Sequence, residues 1–126
     1  NKEGWAKLNK FCPYLMPYKA ASGAGASEEK PAHIASYYYG FVSYPNLDEE
    51  VVYRITRGIW NGYDDYSSKH PALKLWTREG ALKTDSFLTP YHPGAIKFFK
   101  EMGKWTPEHE KRQAMLLQEE AARLKK

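Results

Sequence analysis

The stretch PYHPGAIKFFKEMG, residues 90–103, decides how this chain is read. Pro93 suits the first position of a helix, where a missing N–H is harmless and the fixed φ is already helical. His92 then falls at the cap position. Ala95, Phe98, Phe99 and Met102 make an apolar stripe, and Gly103 supplies a left-handed stop. A histidine here invites a catalytic reading, but a general base needs a nucleophile or carboxylate that sequence alone does not place. Helix initiation accounts for the whole His-Pro-Gly run. His92 is expected to be structural.

Outward from this helix the pattern stays mostly helical. Thr106-Pro107 opens a last helix with early glutamates and late lysines, matching the dipole. Its Ala114, Leu117, Ala121 and Leu124 recur at 3-4-3 spacing, a narrow seam that two heptads would offer to another helix. On the N-terminal side, HPALKLWTREGALK (70–83) reads as two short turns, the second capped by Thr77. Before it a helix runs from Asn46 as cap, with Glu49 at the reciprocal position. Val51, Val52, Ile55, Ile59, Tyr63 and Tyr66 share one of its faces, and its glycines at 58 and 62 leave it liable to end near Asn61. HIASYYYGFVSY (33–44) is the best strand, rich in aromatic and β-branched residues. Residues 19–32 read as a Gly-rich loop, and 4–16 as a short amphipathic piece that Pro13 must end.

Composition sets wide bounds. The 126 residues suit one domain, and 42% hydrophobic with 15% aromatic residues argues for a packed core over disorder. A net charge of +4 is modest and is explained by solubility as well as by an anionic partner. The single Cys12 excludes an internal disulfide and a cysteine-based metal cluster. No run of apolar residues is long enough to span a bilayer. A chain opening Asn-Lys-Glu-Gly, without methionine or signal peptide, reads as a processed or truncated product.

Candidate chemistry is thin. His33, His70, His92 and His109 show no HxH, HxxxH or HExxH spacing, so no metal site is expected. Asp64-Asp65 read as a solvated helix end, the glycines of SGAGA lack the phosphate-binding spacing, and Cys12 has no placed base. No catalytic residue and no cofactor is expected. YGFVSY (39–44) matches the last six positions of an RNP1 box through Tyr39, Gly40, Phe41, Val42 and Tyr44. The opening Lys/Arg-Gly is replaced by Tyr37-Tyr38, and the first 30 residues offer no RNP2 strand. Nucleic acid is therefore not the expected partner.

Taken together, residues 17–103 resemble the C-terminal part of the TAXI family, the extracytoplasmic solute receptors associated with TRAP transporters. The carrying segments are PYKAASGA (17–24), ASYYYGFV (35–42), LDEEVVYRITRGIW (47–60), HPALKLWTREGAL (70–82) and PYHPGAIKFFKEMG (90–103). Leu47, Asp48, Glu49, Val52, Tyr53, Thr56, His92, Pro93, Gly94, Ala95 and Gly103 coincide with the family pattern.

The resemblance implies an α+β, mostly helical chain forming the C-terminal portion of a periplasmic-binding-protein-like two-lobe α/β fold. Residues 1–103 would be the TAXI-like segment and 104–126 a C-terminal helical extension. It implies a periplasmic binder, not an enzyme, that closes over a small carboxylate or amino acid and delivers it to TRAP transporter membrane subunits. Strand 33–44 is then the expected hinge element. Tyr18, Lys19 and Ser22 are the expected ligand contacts, Lys19 suiting a carboxylate. The family's Gly-x-Tyr reads Lys19-Ala20-Ala21 here, and the N-terminal lobe is not among these residues, so half a ligand site is expected. The alternative is a stand-alone interaction module, RNA-binding through YGFVSY or forming a homo-oligomer through 106–126.

Overall fold

The computed structural model describes residues 1–23, 25–38 and 40–125. They divide into two units, Asn1–Tyr39 and Gly40–Lys126, and the boundary falls inside the stretch 33–44 expected to act as hinge.

The first unit holds helix α1 (Lys2–Leu8) and two strands, β1 (Met16–Ala20) and β2 (Ala32–Ser36). Asn1 starts α1 by accepting a hydrogen bond from the Gly4 N–H at 2.7 Å. The helix ends at Leu8, well before Pro13. Asn9 follows it and donates its side-chain amide to the carbonyls of Cys12 and Leu15, turning the chain into β1. The strands pair antiparallel from Met16 opposite Ser36 to Ala20 opposite Ala32.

Two expectations are corrected here. Lys19, Ala20 and Ala32, read as part of the loop 19–32, are strand, and the connecting segment shrinks to 21–31. Of the strand expected over 33–44, only 33–36 are strand among the described residues, as part of β2. β1 begins at Met16, so beyond Ser36 no partner strand continues the ladder, and β-propensity without a partner does not make a strand.

The second unit carries α2 (Glu49–Asn61), the short α3 (Tyr63–Tyr66), three 3-10 turns at Pro71–Leu75, Gly80–Leu82 and Thr84–Ser86, then α4 (Pro93–Glu101) and α5 (Pro107–Leu124). Asp48, not Asn46, caps α2, its carboxylate accepting from the Val51 N–H at 3.0 Å; Asn46 belongs to the turn before it. α2 stops at Asn61, with Gly62 as its C-cap. His70 caps the first 3-10 turn through its ring, and the Thr77 hydroxyl accepts from the Gly80 N–H at 3.0 Å. The two short turns expected over 70–83 are both present, and a third follows at Thr84–Ser86.

α2 packs on α4, and the core between them is Val52, Ala95, Phe98 and Phe99, bordered by Tyr53, Trp60, Tyr91 and Trp105. The buried face of α2 is rotated from the expected one: Val51 and Ile55 are exposed, while Tyr53 and Trp60 turn edge-on to Phe98. Aromatic edge-to-face contact with α4 recruits the larger side chains. Met102, expected in the α4 stripe, is also exposed.

Gly94 sets how closely the two helices meet. A Cβ there would lie 2.2 Å from the Glu49 carbonyl oxygen and 2.8 Å from the Tyr53 nitrogen. Gly103 ends α4 at φ +65°, the left-handed stop expected of it.

Candidate ligand-binding surface

The three expected contacts lie on β1 of the hairpin and in the bend that follows it. Tyr18 and Lys19 are consecutive residues of β1, and Ser22 sits in the bend that follows it. Consecutive strand residues point to opposite faces, so Tyr18 and Lys19 do not converge on one side of the sheet. Tyr18 shares a face with its cross-strand partner Ile34 and is 55% exposed. Lys19 shares the other face with His33, which stands directly opposite. Directly opposed Cβ atoms are about 5 Å apart, close enough for an ammonium and an imidazole to meet one carboxylate. His33 is the partner that sequence spacing did not reveal, because only the strand register brings it beside Lys19.

The helical unit holds a groove of about 750 Å³ between α4 and α5, walled by Tyr91, Pro93, Ile96, Gln113, Ala114 and Leu117. Its two lysines are matched by carboxylates. Lys100 Nζ lies 3.0 Å from Glu110, and Lys97 Nζ lies 3.8 Å from Glu50. Trp105 and then Lys100, both hydrogen-bonded to Glu110, hold its carboxyl below the usual range. An anionic ligand entering this groove would compete with carboxylates already in place. A second, apolar hollow of about 310 Å³ is formed by Phe41, Ile59, Tyr66, Leu73 and Trp76. Phe41 meets Trp76 edge-on at 4.5 Å between centroids while remaining 64% exposed.

Several polar side chains that look ordinary in the sequence build the frame around the groove. Gln113, buried on α5, pairs with the Tyr91 backbone: its Oε1 accepts from the N–H at 2.7 Å and its Nε2 donates to the carbonyl at 2.9 Å. His109, also buried, closes the capping box of α5. Its Nδ1 accepts from the Thr106 N–H at 3.1 Å, which leaves Nε2–H to donate to the Leu82 carbonyl at 2.8 Å. Arg112 donates to the Phe87 carbonyl at 2.7 Å. Asp64, expected as a solvated end, pairs with Arg78, whose Nε also donates to the Trp60 carbonyl near the end of α2.

His92 does what the His-Pro-Gly run implies. Its Nδ1 accepts from the Gly94 N–H at 3.1 Å and caps α4. Among the described residues no group of three or more His, Cys, Asp or Glu side chains is placed to hold a metal ion. Residues 40–44 form no strand, so the RNP1-like stretch does not set Phe41 and Tyr44 on a sheet. Tyr39, the other aromatic of that reading, lies outside the described residues.

A family model described as the NMT1-like family matches residues 1–103. The chain belongs to the NMT1-like family. This is a periplasmic-binding-protein-like family, also found among TRAP-type receptors, and it points to solute binding in general. No curated protein and no solved structure matches the chain. The NMT1-like segment includes the hairpin with Tyr18, Lys19 and Ser22 and the packed pair α2–α4, and it stops at Gly103, before α5. Among the described residues no helix is long and apolar enough to cross a membrane.

Proposed function

We propose that this chain serves in an extracytoplasmic solute receptor of the TAXI type, binding a small carboxylate or amino acid and passing it to a TRAP-type membrane transporter. It acts by binding, not by catalysis. The observation that carries the reading is the NMT1-like match over residues 1–103, which spans both the hairpin and the His-Pro-Gly-Ala helix start. A carboxylate as the solute class is supported by the hairpin face bearing Lys19 and His33, with Ser22 in the adjoining bend. A carboxylate suits that pairing, since charge-assisted hydrogen bonds from an ammonium are stronger than neutral ones.

The face is open to solvent, Lys19 and His33 both being exposed. An open surface desolvates its ligand poorly, so affinity for the isolated chain should be weaker than micromolar. Amide chemical shifts recorded during titration with carboxylates and amino acids test both points. Perturbations should gather at Lys19, Ser22 and His33 and fade in Lys19→Ala. Shifts confined to the α4–α5 groove would overturn the site, and a sub-micromolar dissociation constant would overturn the open-surface argument. Uptake by reconstituted TRAP membrane subunits is the check on the transporter. Uptake that does not respond to the receptor would remove it from the reading.

A further inference from the structure

α5 buries one largely polar face within the chain and leaves a second, apolar face exposed, of which Ala114 and Leu117 also border the open α4–α5 groove. His109, Gln113 and Leu116 are buried and Arg112 half-buried along the inward face. Ala114, Leu117, Ala121 and Leu124 lie about a third of the way round the helix. All four are exposed, Leu117 by 48% and Leu124 by 83%, and so is every described residue from Leu117 to Lys125.

We propose that this second face pairs with the same face of a second copy of the chain, α5 against α5 and parallel. With Ala114 and Ala121 at a and Leu117 and Leu124 at d, the flanking g positions are Gln113 and Glu120, and the e positions are Lys111, Gln118 and Lys125. In a parallel pair each g residue meets the e residue five places on in the other helix. Glu120 then faces Lys125, while Gln113 stays committed to the Tyr91 backbone within its own chain. Turned antiparallel, like flanks meet: Glu120 approaches Glu120, and Lys111 approaches Lys125. Charge therefore selects both the partner and its direction. Glu110, one d position upstream, is drawn off by hydrogen bonds from Lys100 Nζ and Trp105 Nε1, so the seam begins at Ala114.

The seam spans two heptads with alanine at alternate positions, well short of the roughly 800 Å² per partner of a standard interface. Association is accordingly weak, in the high micromolar range. Sedimentation equilibrium of the full chain, carrying Cys12→Ser, tests it across that range. The mass should rise with concentration, and Leu117→Lys with Leu124→Lys should abolish the rise while circular dichroism stays unchanged. Direction is read by oxidative crosslinking: Leu124→Cys should link to itself, whereas Met115→Cys, an exposed residue off the seam, should not. A wild-type chain that stays monomeric overturns the proposal, as does a dimer that survives both lysines. Crosslinking at Met115 as ready as at Leu124 overturns it too.

Discussion

Tyr91 is the residue whose surroundings most alter its chemistry. Burial pushes its hydroxyl up from 10.0 to about 12, and the hydroxyl donates to the Ala81 carbonyl. The unfolded chain releases this proton near pH 10, while the folded protein keeps it until about pH 12. The neutral form favours folding, so the contribution is intact below pH 10 and is lost as pH rises through about 12. The slope is about 1.4 kcal/mol per pH unit over that window. Measured against Tyr91→Phe by urea denaturation, wild-type stability should fall by up to about 3 kcal/mol between those limits. Parallel pH profiles for the two proteins would show that Tyr91 is not held neutral by burial. Nothing in Pro90-Tyr91-His92 signals this shift, since it arises where Phe87, Phe99 and Trp105 close round the ring. His92, one residue on, is the opposite case: its role acts on the Gly94 N–H two residues away and is legible in the sequence.

At the scale of elements, the contact of α2 with α4 turns on Gly94. Alanine is the better helix former by about 1 kcal/mol, so propensity alone favours Gly94→Ala. The added methyl, however, would meet the Glu49 carbonyl and Tyr53 nitrogen, both backbone atoms of α2 that no side-chain rotation can move aside. The helices must separate, at a loss of about 3 kcal/mol, and the clash outweighs the propensity. Thermal unfolding of Gly94→Ala should therefore begin well below wild type. An unchanged or raised midpoint would mean that the two helices do not meet this closely. Both ends of α4 and the start of α5 are legible because caps act over two or three residues, whereas the cap of α2 falls at Asp48 and not at the expected Asn46. The buried faces of α2 and α5 are not legible, since Val52 and Leu116 are chosen over Val51 and Leu117 by partners far along the chain.

For the whole molecule, the two units differ in how they are held. Among the described residues of Asn1–Tyr39 none is buried, whereas Gly40–Lys126 contains the α2–α4 core as well as buried Phe87 and Leu116. A two-stranded hairpin without a buried face is marginal in water. Amides of β1 and β2 should accordingly exchange with deuterium on the order of a hundredfold or more faster than those of α4. Comparable protection would show that the hairpin is stabilised by more than its own ladder. The candidate site divides along the same line. Tyr18, Lys19 and Ser22 came from a resemblance in sequence, but the placing of Tyr18 and Lys19 on opposite faces, and of His33 beside Lys19, came from the β1–β2 register.

The sequence by itself determined the punctuation of this protein: Pro93 and His92 at the start of α4, Gly103 at its end, Thr106-Pro107 at the start of α5, and the mostly helical class. Each of these rests on a side chain or φ angle acting on backbone a few residues away, so a short window contains both partners. Tertiary structure alone decided that, among the described residues of 33–44, strand reaches only as far as Ser36, that Gln113 and His109 are buried, and that Lys19 stands beside His33. A strand needs a second strand, and a buried polar group needs a distant carbonyl or amide. Their partners lie 14 to 27 residues away, where no local pattern reaches.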